Sequence, residues 1–453
     1  PGYEHCPIEI TIVSPHPDWQ VTTPLPEISP QTFLAADFDT LVDSPFEIGT
    51  QQIYDFTGLG KPHQLVVWGE GNLDPQVAIA DIKKIIQVES DIFGGLPYEK
   101  YIFLLHLSPS GGGGLEHKDC CSLLYPRFNF QGSDKHNRFM QLVAHEFFHL
   151  WNVKRIRPIA LEKFDYDREN YTPSLWFSEG TTSYYDLLIP MRAGIYDERE
   201  CLAELSKEIT RFLTTPGRLV QPLSESSFDA WIKLYRPDAN SANAQMSYYL
   251  KGEMVTLILD LLIRDRTDGV KSFDDVLLMM WEQFGKLEIG FTELQLKNII
   301  ESVANLDLTE FYDRYIHGIE EIPFNDYLAP FGIELKPIES TIPYLGISVK
   351  HEHGREVIKS VASNSPAQLA GIDAGDELLA IDGFKVTADR LNDRLKHYQA
   401  GEQISLTIFH ADRLMTVKVL LSVCQPQQYQ LQPLEHTSDR QRQQFKIWMK
   451  SSG

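Results

Sequence analysis

The chain has 453 residues, 43% of them hydrophobic and 23% charged; this length exceeds one ordinary domain, and the composition is typical of folded globular proteins rather than disordered or fibrous ones. The formal net charge of -22 opposes binding to nucleic acid and to anionic membrane surfaces. The longest apolar run, from Met254 to Ile263, is shorter than the roughly 20 residues of a membrane span. Nothing in the sequence fixes the compartment, for which the cytoplasm is the preferred prediction.

The first 60 residues predict β structure. They are rich in proline and contain short β-type runs, such as Ile8 to Val13 and Trp19 to Thr23, without helical periodicity. We therefore expect residues 1–60 to be the remainder of an N-terminal β-rich domain.

From Leu65 the pattern changes to alternating strands and helices. It predicts a strand from Leu65 to Trp68, a helix from Pro75 to Phe93, a strand from Tyr101 to Leu107 and a glycine turn at 111–114. Long helical patterns follow from residue 137 to about 320. One α/β plus helical domain is thus expected over residues 61–325.

A separate small domain is predicted over residues 335–424. Short alternating strands surround one amphipathic stretch, from Ala388 to Tyr398. The segment after Cys424 is polar and rich in Gln, which predicts a loosely ordered tail over 425–453. The chain as a whole is predicted to be an α+β multidomain protein.

A candidate metal site lies in the helical region. Residues 145–149 read His-Glu-Phe-Phe-His in a stretch without internal Gly or Pro. At about 100° per residue, His145 and His149 lie about 40° apart on one helix face, so both imidazoles can reach one ion. Glu146 lies beside them as the general base. This pattern predicts a catalytic site for one Zn²⁺ per chain.

A third ligand is needed, because a catalytic zinc takes three protein ligands and keeps one position open. Two carboxylates compete for that place. Glu179 follows Trp-Phe-Ser at the start of a predicted helix, whereas Glu169 lies in a polar, loop-like run. Glu179 is preferred, because a loop glutamate loses conformational entropy when it is ordered on the ion.

The segments HEFFHLWN, WFSEG and YLKG together resemble the glutamate-ligand zinc peptidases related to aminopeptidase N, in particular the PDZ-containing glycyl aminopeptidase family. The resemblance extends from about residue 10 to 421. It implies a thermolysin-like catalytic domain, a fuller N-terminal β domain, Glu179 as a ligand, and release of N-terminal Gly or Ala. Aminopeptidase N relatives place that ligand nearer to the second histidine, close to Glu169, so this alternative stays open.

The resemblance also implies substrate-binding residues. Tyr249, in the YLKG segment, resembles the tyrosine that hydrogen-bonds the tetrahedral oxyanion, with neighbouring Tyr248 as the alternative. The run from Gly113 and Gly114 to Glu116 is similar to an edge strand that aligns the substrate. In that strand the glutamate binds the free α-amine, so a peptide with a free N-terminus is the implied substrate.

The segment Tyr344, Leu345, Gly346 and Ile347 resembles the carboxylate-binding loop of a PDZ domain, which implies a C-terminal peptide as a partner. The alternative is a PDZ fold that only packs on the catalytic domain. Two other functions remain open: a zinc endopeptidase, and a PDZ-led scaffold protein with an inactive peptidase fold. The intact general base and ligand set argue against the second.

Overall fold

The computed structural model describes residues 2–338, 342–423 and 428–450. These residues form an N-terminal β region, an α/β and helical catalytic region, and a C-terminal PDZ domain, so the predicted fold class is confirmed. One large hydrophobic core runs through the catalytic region, and the PDZ domain has a core of its own. Within the described ranges, no helix combines the length and apolar character that crossing a bilayer requires.

The N-terminal region consists of two small antiparallel sheets. Its elements are β1 (Ile8–Thr11), β2 (Gln20–Thr22), β3 (Glu27–Ser29), β4 (Thr32–Ala35), α1 (Phe38–Val42) and β5 (Glu47–Gly49). The strand order is β1-β4-β3 in one sheet, and β2 pairs with β5 in the other. Leu25, Phe33 and Ala35 form a minor core beneath them.

A five-stranded mixed sheet carries the first part of the catalytic region. Its elements are β6 (Gln52–Gly58), β7 (Lys61–Trp68), α2 (Pro75–Phe93), β8 (Tyr101–Ser108), β9 (Gly113–Glu116), β10 (Cys120–Pro126) and α3 (Ser133–Phe148). The order is β6-β7-β8-β10-β9, with antiparallel strands at both edges. The predicted boundary at residue 61 therefore falls between the two strands of a hairpin. The sequence does not show this, because the pattern of neither strand indicates which strand it pairs with.

Helices complete the catalytic region. They are α4 (Thr181–Arg192), α5 (Glu198–Thr214), α6 (Leu223–Phe228), α7 (Ser241–Ala244), α8 (Tyr248–Arg266), α9 (Phe273–Met280), α10 (Glu293–Ala304), α11 (Thr309–Phe311) and α12 (Phe324–Leu328), followed by β11 (Ile333–Ile338). Helix α8 is buried around almost its whole circumference, as expected for a core helix. Its buried Asp260 is satisfied by Arg264, by Tyr184 and by the backbone N–H of Phe273.

The PDZ domain is a β-sheet with two short helices. Its elements are β12 (Ile347–Glu352), β13 (Arg355–Val361), α13 (Pro366–Leu369), β14 (Glu377–Ile381), β15 (Phe384–Lys385), α14 (Leu391–Leu395), β16 (Gln403–His410) and β17 (Arg413–Leu420). The order is β12-β13-β14-β16-β17, with β15 beside β14, so β12 is an edge strand.

The prediction of a loosely ordered tail is wrong. Strand β18 (Gln428–Pro433) pairs with β11, and helix α15 (Asp439–Trp448) packs on the main core. Trp448 is fully buried, and its indole N–H donates to the hydroxyl of Tyr184. A few apolar side chains order this segment by packing on the main core. Their partners lie far away in sequence, so the local pattern does not predict this order. Residues 424–427 and 451–453 of the predicted boundary and tail lie outside the described residues.

Candidate active site

Helix α3 carries the His-Glu-x-x-His segment on its last turn. Its back face is fully buried, as the sequence predicts, through Phe139, Met140, Val143, Ala144 and Phe147. The C-cap residue is His149. The two imidazole rings, of His145 and His149, lie 4.7 Å apart, so the rigid helix end presents both to one point.

The carboxylate of Glu179 meets both histidines. One oxygen, Oε2, lies 3.4 Å from Nε2 of His145 and 3.3 Å from Nε2 of His149. Tetrahedral zinc with bonds of about 2.0–2.1 Å separates its ligand atoms by about 3.3–3.5 Å, so both of these distances suit such an ion. Glu169 is exposed on its loop and outside this group.

A single π-helical turn, Trp176–Gly180, holds Glu179. The side-chain amide of fully buried Asn152 donates to the carbonyls of Phe177 (3.0 Å) and Ser178 (3.2 Å) in that turn. The backbone carbonyl of Asn152 accepts a hydrogen bond from Nδ1 of His149 at 2.6 Å. One residue thus orients two of the three candidate ligands, and the Nδ1 proton leaves Nε2 free to bind a metal.

His145, the remaining candidate ligand, has a carboxylate partner. Nδ1 of His145 lies 2.9 Å from Oδ2 of Asp186 on α4. Burial alone would lower the pKa of His145, but hydrogen bonds to Asp186 and Glu179 raise it well above its usual value. Burial opposes ionisation of Glu179, yet the two nearby histidines, with His149 the stronger, hold its pKa well below the usual value. A lowered pKa favours the deprotonated carboxylate, the form in which glutamate binds a metal.

Two glycines bring α8 against the π turn. A Cβ at Gly180 would lie 2.4 Å from Cα of Gly252, and a Cβ at Gly252 would lie 2.7 Å from the Trp176 carbonyl oxygen. Such distances exclude any side chain, so the WFSEG and YLKG segments both need their glycine for the two backbones to touch. This contact positions the first turn of α8 beside Glu179.

Two tyrosines occupy that first turn. Tyr248 is buried, whereas Tyr249 is half-buried with its ring stacked on that of His145 at 6.5 Å. The hydroxyl of Tyr235 lies 3.0 Å from the Tyr248 hydroxyl and 3.3 Å from the Tyr249 hydroxyl. The geometry favours Tyr249 as the residue that faces the cleft.

Edge strand β9 crosses directly over Glu146. A Cβ at Gly114 would lie 2.3 Å from Oε1 of Glu146, so a side chain at this position would displace the Glu146 carboxylate. Glu146 is 5% exposed, and its Oε2 has no hydrogen-bond partner among the described residues. Burial raises the pKa of Glu146 to about 7. A buried carboxyl group that titrates near neutrality can both take and return a proton.

The strand ends on Glu116, whose carboxylate approaches the same cleft. Ligand atoms of Glu116, Glu146 and His149 all lie within 4.8 Å of one another. Among the described residues, strand β9 pairs only with β10, on its inner side. Its outer edge, starting at Gly113, is therefore open to an added peptide strand.

Three residues at the site escape sequence reasoning. Asn152 follows the second histidine by three positions within the HEFFHLWN segment, and Asp186 follows Glu179 by seven, which is two turns along one helix face. Both spacings are readable signals. Tyr235 reaches the tyrosines from an irregular segment and has no such signal.

Replacing Asn152 by alanine should weaken zinc binding about 10- to 100-fold, because it removes the hydrogen bonds that orient the Glu179 turn. Competition with a chromogenic chelator measures this affinity. Asn325→Ala is the matched control, since Asn325 also bridges backbone groups, at Leu335, but outside the cleft. Wild-type zinc affinity in Asn152→Ala would show that Asn152 does not contribute to metal binding by orienting the Glu179 turn.

Comparisons with known proteins identify family models and solved structures that are similar to this chain. Residues 138–255 match the profile of M61 glycyl aminopeptidases, residues 1–50 the M61 N-terminal domain, and residues 343–421 a PDZ domain. None of the curated proteins compared matches the chain. The crystal structure of an aminopeptidase N family protein from Idiomarina loihiensis is 30% identical with a TM-score of 0.93, covering 99% of this chain and 80% of that one. An M1 zinc metallopeptidase from Deinococcus radiodurans is 14% identical with a TM-score of 0.47, covering 70% and 64% of the two chains.

Proposed function

The chain belongs to the M61 glycyl aminopeptidase family and is a metallopeptidase, and on this basis we propose that it is a zinc aminopeptidase that releases small N-terminal residues, Gly or Ala. Its main support is the convergence of His145, His149 and Glu179 to ligand-atom separations of 3.3 and 3.4 Å. These three side chains would hold one Zn²⁺ per chain and leave one position for water or substrate.

Zinc bound there would polarise the scissile carbonyl and lower the pKa of a water molecule from 15.7 towards about 7. Glu146 accepts the proton of the attacking water and passes it to the leaving amine. The contact of its carboxylate with Gly114 supports this role, because a substrate aligned along β9 presents its peptide bond directly to that group.

Tyr249 donates a hydrogen bond to the oxygen that becomes negative during the attack. Burial raises the pKa of Tyr249, and the charge of Glu179 raises it further, so the phenol stays protonated and remains a donor. Tyr235, in contact with the Tyr249 hydroxyl, helps to orient it.

Glu116 pairs with the free α-amine of the substrate. Its carboxylate lies in the same cleft as Glu146, at the end of the strand along which the substrate would be added. An ammonium group bound there places the first peptide bond, and no later one, at the general base. This arrangement supports an aminopeptidase over an endopeptidase.

Replacing Glu116 by alanine should lower kcat/KM for alanyl amides about 10- to 100-fold, because hydrogen bonds to charged groups are worth about 1.5–3 kcal/mol. The wild type should cleave these substrates only when the amine is free, which parallel assays with N-acetylated amides measure. Glu169→Ala, at an exposed loop residue, is the control and should keep full activity.

Two outcomes of these assays would contradict the proposed aminopeptidase function. Cleavage of acetylated and free substrates at similar rates would make the protein an endopeptidase. Zinc binding without turnover of either substrate would favour a scaffold protein with an inactive peptidase fold.

The PDZ domain supplies a second peptide site, for which we propose a free carboxyl terminus as ligand. Strand β12 has an open edge, and the backbone N–H groups of Leu345 and Gly346 have no acceptor within the described residues. Adjacent free amides at the end of an open strand suit a terminal carboxylate.

A further inference from the structure

The groove beside the PDZ loop has walls from two domains. It is a cavity of about 270 Å³, and the PDZ side is formed by the loop from Tyr344 to Ile347 and by Leu391 and Leu395 of α14. The opposite side belongs to the catalytic region, with Pro216 and with Ala242 and Asn243 of α7 lining the cavity. A peptide in this groove would therefore touch both domains.

Asn243 of α7 ties the two walls together. Its side-chain amide donates to the carbonyl of Val361 at 2.8 Å, and its side-chain oxygen accepts from the backbone N–H of Ser363 at 2.9 Å. Val361 pairs with Ile347, the last residue of the carboxylate loop. Asn243 is 8% exposed, so these buried hydrogen bonds fix the catalytic wall against the end of the groove.

The same segment leads into the active site. Tyr249 lies six residues after Asn243, a span of at most about 20 Å of extended chain. The intervening backbone is held closely, since a Cβ at Gly217 would lie 1.9 Å from the carbonyl oxygen of Gln245, and the N–H of Met246 donates to the side chain of Gln221. This segment therefore connects the groove to the tyrosines through closely packed backbone.

We propose that a peptide carboxyl terminus binds between both walls of this groove and that its binding raises aminopeptidase turnover through the segment from Asn243 to Tyr249. The amides of Leu345 and Gly346 take the carboxylate, and the last side chain is apolar because it lies against Leu391 and Leu395. A ligand held by both walls strengthens their contact and so fixes the tyrosines. The effect on turnover rests on the zinc aminopeptidase function proposed above, whereas the binding does not.

Fluorescence anisotropy tests the shared groove. The probes are fluorescein-labelled hexapeptides that cover all twenty C-terminal residues, each as the free acid and as the amide. The full chain should bind acids that end in apolar residues, and their amides at least about 10-fold more weakly. Absence of binding, or equal binding of acids and amides, would overturn the site.

Ala242→Arg tests the catalytic wall, because Ala242 is exposed on α7 and lines the groove. It should weaken binding of the best peptide at least about 10-fold. Ala203→Arg is the matched control. Ala203 is an exposed alanine on α5 that does not line the groove, so this variant should bind peptide like the wild type. Zinc content and thermal unfolding report whether each variant is folded. Wild-type affinity in folded Ala242→Arg would overturn the two-domain groove.

Turnover of alanyl amide tests the coupling. Saturation with the best peptide should raise kcat/KM of the wild type about 5-fold or more, a typical coupling between sites. Asn243→Ala should still bind peptide but lose this response. Unchanged or lowered turnover in the wild type would overturn the coupling. A chain that binds peptide but has no turnover at all would refute the proposed function and, with it, the coupling, while the groove would stand.

Discussion

Replacing Glu146 by glutamine should lower kcat by about 10²- to 10⁴-fold while zinc stays bound, since general acid–base catalysis contributes about this much. The amide keeps the size and the contact with Gly114 but cannot accept a proton. Steady-state kinetics on alanyl amide together with zinc content of the same sample measure both parts of the prediction.

Glu89→Gln is the matched control. Glu89 is also a fully buried glutamate without a hydrogen-bond partner among the described residues, and burial raises its pKa well above the usual value. Burial therefore favours its neutral form, which glutamine imitates. This variant should keep kcat, whereas a Glu146→Gln enzyme with full turnover would show that another group takes the proton.

Replacing Tyr249 by phenylalanine should lower kcat by about 10²- to 10³-fold, the usual loss when one oxyanion donor is removed, with a much smaller change in KM. The lost hydroxyl acts on charge that develops only during the reaction, so substrate binding is largely spared. Comparison of kcat and KM for wild type and variant on the same amide series separates these effects.

The neighbouring tyrosine provides the control for this prediction. Tyr248→Phe removes a hydroxyl that also contacts Tyr235, from a side chain that is more deeply buried than that of Tyr249. It should change kcat only a few-fold. A larger loss in Tyr248→Phe than in Tyr249→Phe would assign the donor to Tyr248 instead.

The metal helix is the part of the site that local sequence predicts best. The angle between His145 and His149 and the apolar arc behind them follow from helical periodicity alone. The choice between Glu179 and Glu169 does not follow from periodicity. The number of residues between His149 and each glutamate does not tell where the intervening loop places that glutamate. Glu179 lies within 3.4 Å of both histidines, on a π turn that no periodic pattern reveals, and this proximity supports it as the proposed ligand.

Contacts between distant segments account for what the sequence leaves open. Trp448 orders the polar C-terminal segment by packing against Tyr184, 264 residues earlier. Asn243 reaches Val361 across 118 residues and a domain boundary. Neither asparagine nor a polar segment carries a local signal for such a partner, so both the ordered tail and the shared groove become readable only in three dimensions.

The zinc content of three purified proteins tests the central claim most directly: the wild type, Glu179→Ala and Glu169→Ala. We expect one zinc per chain in the wild type and in Glu169→Ala, and loss of bound zinc in Glu179→Ala, because removal of one ligand leaves only the two histidines. Full zinc in Glu179→Ala, or its loss in Glu169→Ala, would contradict the metal site described here.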